Sequence, residues 1–295
     1  MSWKKITEQQ NPASADIDEK SIHEILTVIN NEDGAVAAAV QNCLVDITGF
    51  INVLVPRLQS RGRLIYVGSG TSGRLGVLDA AECPPTFSVD PELVQGIIAG
   101  GNDAMVRSIE GAEDDPADGA RAVVNYDITA ADTILGITAS SSTPFVLGAL
   151  EKAKEIGAIT GLLICNNPPE LEYIDHLISI IVGPEVITGS TRMKAGTATK
   201  MVLNMITTTV MIKLNKTYGN LMVDLKASNQ KLWDRGARII AHLTELNYAD
   251  ALKLLQSADG EVKTALVMEN LGLNISESRE TLSDHNGSLK EAINN

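Results

Sequence analysis

Apolar residues along this chain follow two different periods, and the change between them divides it. Through the first sixty residues the period is helical. Ile22, Ile25, Leu26 and Ile29 recur at three and four, behind Ser21 and Glu24, which frame a capping box. A second helical run covers 36–58, with Val40, Leu44, Ile47, Ile51 and Leu54 on one stripe. From Leu64 the texture changes to short β-branched runs at 64–67, 87–89, 133–137, 159–165 and 177–182. Helical segments with polar faces separate several of them. That alternation predicts an α/β fold with a mostly parallel sheet covered on both faces.

Punctuation adds helix ends. Thr143 before Pro144 reads as an N-cap followed by a first-turn proline, with Gly157 closing that helix. A long helix is expected over 195–214 and another over 227–246. Cys83, Pro84 and Pro85 are expected to stop a helix over 75–81 that follows the first glycine-rich loop. From Tyr248 the tail divides into three short helical pieces at Gly260, Gly272 and Gly287. The expected organisation is an N-terminal helical segment (1–53), a central α/β domain (54–217) and a C-terminal helical region with a small module (218–295).

Composition narrows the function classes. Aromatics are only 3% of the 295 residues, so the core must come from Ile, Leu, Val, Ala and Met. The formal net charge of -13 excludes a nucleic-acid or anionic-membrane surface, since both reward dense Lys and Arg. A phosphorylated ligand would have to be held by local donors against the global field. Cys43, Cys83 and Cys165 lie far apart without a CxxC pair, which predicts neither a disulfide framework nor a metal site and suits a reducing cytosol. The two lysines near the start precede no apolar h-region, and the longest apolar stretches are broken by Asn166, Asn204 and Lys213. A soluble cytoplasmic protein is expected, with no membrane partner.

The candidate chemistry sits in two loops. After the strand at 64–67 comes GSGTSGRLG at 68–76, running into a helix. Glycines permit close approach of backbone to a ligand, and a helix start offers unpaired N–H groups. A Walker A loop would need Lys-Ser/Thr after Gly73, but Arg74 and Leu75 follow. Gly68, Gly70 and Gly73 do match a dinucleotide fingerprint, and Asp90 stands about where a ribose-binding acid belongs. Against that reading, Ser69, Thr71 and Ser72 load the loop with hydroxyls, which suit a dianionic phosphomonoester better than a pyrophosphate; a glycine turn without a ligand is the bland alternative. A second loop, Ala139 to Thr143, follows the strand at 133–137 and carries Ser140, Ser141, Ser142 and Thr143. Capping needs only one of these, so the two loops together predict a two-sided phosphate cradle built from Ser69, Gly70, Thr71, Ser72 and Ser140 to Thr143.

At this point the chain resembles the sugar isomerase (SIS) domain, whose phosphosugar sites use two such loops. More narrowly, it resembles the N-acetylmuramic acid 6-phosphate etherases and their relative, the glucokinase regulatory protein. The segments that carry the resemblance are GSGTSGRLGVLDAAECPPTF at 68–87, EGAEDD at 110–115, GITASSSTPFVLGAL at 136–150 and GPEVITGSTRMKAGTATKMVLN at 183–204. The resemblance implies a three-layer α/β/α sandwich acting as a homodimer, and an SIS phosphosugar domain at 54–217. It implies cleavage of the C3 lactyl ether to N-acetylglucosamine 6-phosphate and D-lactate, in cell-wall amino sugar recycling. By the same resemblance Glu82 and Glu113 match the family's two catalytic glutamates.

The chemistry asks for such groups. Ring opening exposes an aldehyde at C1, which makes the C2 proton removable by a carboxylate. The C3 oxygen is a poor leaving group and needs a proton donor; each such group contributes ~10²–10⁴-fold. Water then adds to the unsaturated intermediate. No redox change occurs, so neither metal nor cofactor is called for. Read without the resemblance, Glu82 is a surface residue at a helix end and Glu113 part of a solvated acidic run. Glu185, Arg192 and Lys194 are candidate contacts to the sugar or its carboxylate, or ordinary residues of their segment. The rivals are an aldose–ketose phosphate isomerase, a non-catalytic sugar-phosphate sensor and, last, a dinucleotide oxidoreductase.

Overall fold

The computed structural model describes residues 5–227 and 229–294. Three short 3-10 turns between Ile6 and Glu19 lead into α1 (Ile22–Asp33), α2 (Val36–Gln41) and α3 (Leu44–Gln59). The Ser21–Glu24 capping box forms, with each side chain meeting the other residue's backbone N–H. The run at 36–58 is broken at Asn42 and Cys43, where the axis bends by 54°. The break turns Leu44 outward while Ile47, Phe50, Ile51, Leu54 and Leu58 stay buried.

The central layer is a parallel sheet of β1 (Leu64–Gly68), β2 (Val94–Ile98), β3 (Thr133–Ile137), β4 (Ile159–Ile164) and β5 (His176–Ser179), in the order β2-β1-β3-β4-β5. Between them run α4 (Gly70–Phe87), α5 (Asp103–Val106), α6 (Pro116–Asn125) and α7 (Pro144–Ile156). After β5 come α8 (Lys194–Lys213), α9 (Gln230–Leu243), α10 (Tyr248–Ser257), α11 (Val262–Leu271), α12 (Ile275–Asp284) and α13 (Leu289–Asn294). Every residue of β1 and β3 is buried. Ile65, Val67, Ile134, Leu162 and Ile164 face α7, where Val146, Ala149 and Leu150 close that side of the core. The opposite face receives Phe50 of α3 at Gly161 and Gly76 of α4 at Tyr66. The fold is therefore the three-layer α/β/α sandwich, with helices before and after it. Among the described residues no single helix is long and apolar enough to cross a membrane.

Two expectations fail around Pro84. The run at 87–89 is not a strand, and the helix does not stop at Cys83; α4 continues through Pro84 and Pro85 to Phe87. Proline removes a helical hydrogen bond but keeps a helical φ, so a final turn survives where few bonds remain to be lost. Ser88 N–H closes it onto the Pro84 carbonyl at 2.9 Å, and Ser88 leaves the helix with φ +48°. The second strand is instead VQGII, whose Gln95 and Gly96 hide the apolar pattern. Gly96 is needed there because a Cβ would lie 2.8 Å from the Val77 backbone of α4. Among the described residues the tail holds four helices rather than three, since Leu289–Asn294 forms one of its own.

The chain falls into two compact units, one holding the chain up to Ala81 together with Pro91–Thr207, the other Glu82–Asp90 and the chain after Thr207. The second has its own core, including Val223, Ile240, Leu255, Val262 and Leu266. Within it the buried Lys263 donates to the Asn215 and Gly287 carbonyls at 2.6 and 2.8 Å and to Asp224 at 3.1 Å. Burial pulls its ammonium below the usual lysine range, with Asp224 opposing.

Candidate active site

Strand order decides where a site can form. In an open parallel sheet, connections from two neighbouring strands that leave toward opposite faces open a crevice at the strands' carboxyl ends. Here β1 and β3 are neighbours, α4 lies on one face and α7 on the other. The two hydroxyl loops follow these two strands, at 69–72 and 139–143.

The first loop is shorter than expected, because α4 already starts at Gly70. Ser69 supplies the carbonyl for the first helical bond, from Gly73 N–H at 3.1 Å. Thr71 and Ser72 therefore stand in the first helical turn, half-buried, beside N–H groups with no intrahelical partner. Gly70 takes φ +52°. A Cβ on Gly73 would sit 2.7 Å from the Ile98 side chain and 2.8 Å from the Gly68 carbonyl. The glycine spacing thus serves strand-to-helix packing. Asp90 precedes β2 instead of standing at its carboxyl end, which removes the ribose contact from the dinucleotide reading.

The second loop holds its hydroxyls in one chain. Thr138 and Thr143 hydroxyls lie 2.7 Å apart, Thr138 and Ser140 3.3 Å, and Ser140 and Ser142 3.3 Å. Ser141 takes a left-handed φ of +63°. Thr143 stands at the N-cap of α7, but its side chain does not cap; it turns back to Thr138. The Lys5 ammonium donates to the Ser142 hydroxyl.

Glu113 joins the two loops. Its carboxylate accepts from the Ser69 hydroxyl at 2.9 Å, and its carbonyl accepts from Phe145 N–H, in the first turn of α7, at 3.0 Å. The acidic run around it is divided in its duties: Asp115 caps α6 by accepting from Ala117 and Asp118 N–H, whereas Glu113 is exposed at the crevice. Arg74 fastens the approach to this run, donating to the Met105 carbonyl at 3.1 Å and the Arg107 carbonyl at 3.0 Å. Ser69, Gly70, Arg74, Ile109, Glu110 and Glu113 line a cavity of about 240 Å³.

The fourth segment contributes differently. Glu185 is fully buried, and its two oxygens accept from the Lys194 and Ala195 N–H groups at 3.0 and 2.9 Å, capping α8. Burial raises its carboxyl above the usual range, and the two amides oppose that rise. Lys194 is buried as well, with its ammonium 2.5 Å from Glu32. Arg192 is exposed. The start of α8 lies close to the first loop, for a Cβ on Gly196 would be 3.5 Å from the Thr71 methyl. Glu82 is exposed on α4, ten residues beyond Ser72 and about 15 Å further along the helix axis, and is counted with the second unit.

Three features escaped the reading by motif. Lys5 lies in the stretch whose lysines precede no apolar h-region, and it belongs to no motif. Arg74 counts by motif only as the residue that breaks a Walker A loop, although its place directly after Gly73 was a usable signal. Asp79 is buried, accepting from Tyr66 O–H at 2.9 Å, Asn204 at 2.6 Å and Thr207 at 3.3 Å. It ties α4 to β1 and α8; burial raises its carboxyl pKa, with those donors opposing. Among the described residues no three His, Cys, Asp or Glu side chains gather as a metal ligand set.

Known proteins align with this chain along almost its whole length. Residues 46–154 match the family described as the glucokinase regulatory protein N-terminal SIS domain. The N-acetylmuramic acid 6-phosphate etherase of Rhodopirellula baltica is 48% identical over 288 residues, covering 97% of this chain and 95% of the relative. The proteins of that name from Salinibacter ruber and Caldanaerobacter subterraneus are each 50% identical over 289 residues, covering 97% and 98% of this chain and 93% and 94% of the relatives. Among solved structures, phosphoheptose isomerase from Neisseria gonorrhoeae superposes with a TM-score of 0.46 at 13% identity, over 64% of this chain and 98% of that one.

Proposed function

The chain belongs to the N-acetylmuramic acid 6-phosphate etherase family, and we propose that its own reaction is cleavage of the C3 D-lactyl ether of N-acetylmuramic acid 6-phosphate, giving N-acetylglucosamine 6-phosphate and D-lactate. The observation that carries this reading is the junction at Glu113, whose carboxylate meets the first hydroxyl loop and whose carbonyl meets the helix that follows the second. A phosphate held between the loops, on Thr71, Ser72 and the Gly70 amide from one side and Ser140 to Thr143 from the other, with Ser69 turning its O–H from Glu113 to the anion, would lie beside a carboxylate. Each hydrogen bond to a charged phosphate oxygen contributes roughly 1.5–3 kcal/mol.

The acid–base work then falls to Glu113 and, on the family resemblance alone, to Glu82, which stands about 15 Å along α4 from the loop assigned to the phosphate. One takes the C2 proton of the open-chain aldehyde; the other protonates the departing C3 oxygen. Water adds to the resulting double bond, so atoms balance with no electron acceptor and the reaction is that of a carbon–oxygen lyase. Arg192, an exposed cation of its segment, is assigned to the sugar's carboxylate, while Glu185 and Lys194 shape that segment. We further assign the protein to the cytoplasm, as a homodimer. Support for the dimer comes from α1, which buries none of its residues and leaves Ile22 80% and Leu26 59% exposed, an apolar stripe that suits a partner.

The test is lactate release from N-acetylmuramic acid 6-phosphate by the purified chain in chelator-treated buffer. D-lactate and N-acetylglucosamine 6-phosphate in equal amounts are expected, with deuterium at C2 of the sugar when the reaction runs in heavy water. Glu113→Ala and Glu82→Ala should each lower turnover by about 10²–10⁴-fold. Isomerised sugar without lactate would replace the etherase with an isomerase.

A further inference from the structure

The phosphate cradle as built from the two loops contains hydroxyls and amides but no cation, in a protein of net charge -13. Two charges on a phosphomonoester call for at least one. The cations along the carboxyl edge of the sheet are unequally free. Arg74 directs its Nε and one Nη2 N–H at two carbonyls, Lys194 is neutralised by Glu32, and Arg192 is assigned to the sugar's carboxylate. Lys5 differs, because its partner is the uncharged hydroxyl of Ser142 and it forms no ion pair among the described residues.

The stretch that carries Lys5 is stitched down by buried polar groups. Ile6 N–H donates to the Asn166 side-chain carbonyl at 3.1 Å, just past the end of β4. Asn166 donates back to the Thr7 hydroxyl at 3.2 Å, and Gly189 N–H donates to the Thr7 carbonyl at 3.0 Å. Further along, Asn11 donates to the Pro184 carbonyl at 3.1 Å and Ser14 to the Val186 carbonyl at 2.7 Å. Thr7, Asn11 and Ser14 are all buried. Polar side chains are rarely buried unless each is satisfied, so these bonds define one path across the loops that follow β4 and β5. That path ends with an ammonium on the last serine of the second loop.

We propose that Lys5 is a substrate-binding residue, the cation that completes the phosphate cradle from the N-terminal strap. This rests on reading the two loops as that cradle. With Ser140 as the donor in its 3.3 Å contact with Ser142, the Lys5–Ser142 bond leaves the serine O–H to donate outward and leaves two ammonium N–H groups for phosphate oxygens, so hydroxyl and cation reach one anion together. A lysine suits this place as a compact point charge. Because the strap is held by its own bonds, little ordering cost falls on binding.

The experiment compares the full-length wild type with Lys5→Met and Lys5→Arg. It measures KM and kcat for lactate release, and the affinity for inorganic phosphate by calorimetry, which requires no turnover. Lys5→Met should raise KM and weaken phosphate binding, each by roughly tenfold, with kcat little changed and a flatter dependence of kcat/KM on salt. Lys5→Arg should recover most of the loss. Unchanged KM and phosphate affinity in a folded Lys5→Met protein overturn the proposal even if lactate release by the wild type upholds the reaction. If the wild type releases no lactate, the reaction fails and phosphate affinity alone decides Lys5: a tenfold loss supports it, no loss overturns it. Weakening by Lys5→Met with no effect of Ser69→Ala or Ser140→Ala would overturn the two-loop cradle and with it this role.

Discussion

The hydroxyl loops and the segment from Gly183 to Lys194 stand at the same edge of the sheet, yet they use their polar groups in opposite ways. In the loops, Ser69, Ser140 and Ser142 are partly or fully exposed, and their hydrogen bonds run to one another, to Thr138, to Glu113 or to Lys5. In the segment, Glu185 has both oxygens committed to backbone N–H groups and Lys194 has its charge cancelled. Charge would rank the segment as the better ligand site; unspent bonding capacity ranks the loops first. A buried charge must be paired to be tolerated, and once paired it has little left to offer a ligand. An exposed hydroxyl in a loose network can exchange its partner at small cost.

The sharpest test of this contrast is Glu113→Gln. It keeps an acceptor for Ser69 but cannot move a proton, so lactate release should fall by about 10²–10⁴-fold while phosphate affinity is retained. Near-wild-type turnover would reduce Glu113 to a brace. Next comes Lys194→Met, which strips Glu32 of its ion pair. Urea unfolding should show a loss of about 2–4 kcal/mol with KM unaltered; a raised KM at full stability would add Lys194 itself to the ligand site. Smaller again, Ser140→Ala should raise KM roughly tenfold and leave the unfolding midpoint in place. The smallest effect is in acid. Lys194's hydrogen bond holds the Glu32 carboxyl below its usual range, against the opposing pull of burial. That stabilisation is complete above the ordinary glutamate pKa of about 4.3 and drains away as pH falls through the lower folded value. The stability advantage of wild type over Glu32→Gln should therefore shrink as pH falls from about 5 to 3, read from urea midpoints.

Much of the fold was legible because its signals are local. Three of the five strands are continuous apolar runs bounded by polar turns, at 64–67, 133–137 and 159–165, and they form nearly where the pattern puts them. The capping box at Ser21 and the left-handed Gly157 depend only on neighbours a few residues away. The misses share a cause. VQGII lacks an apolar run because its glycine exists to admit Val77 from a helix many residues earlier. Leu44 fits the helical stripe, but a bend of 54° between α2 and α3 turns it outward. The prolines after Cys83 remove donors, which a last helical turn can spare.

The site divides along the same line. Two hydroxyl-rich loops, each after a strand and before a helix, were determined by the sequence alone, as were the acidic run at 110–115 and the resemblance that singles out Glu82 and Glu113. Only the tertiary structure decided that the loops belong to neighbouring strands and that Glu113, among several acids, reaches Ser69. It also set Glu185 on the amides at the start of α8 and Lys194 on Glu32, and brought Lys5 across 137 residues of sequence to Ser142. The physical reason is reach: caps and strand runs are settled within a few residues, whereas the partner that satisfies or spends a polar side chain is chosen by how the sheet brings distant loops together.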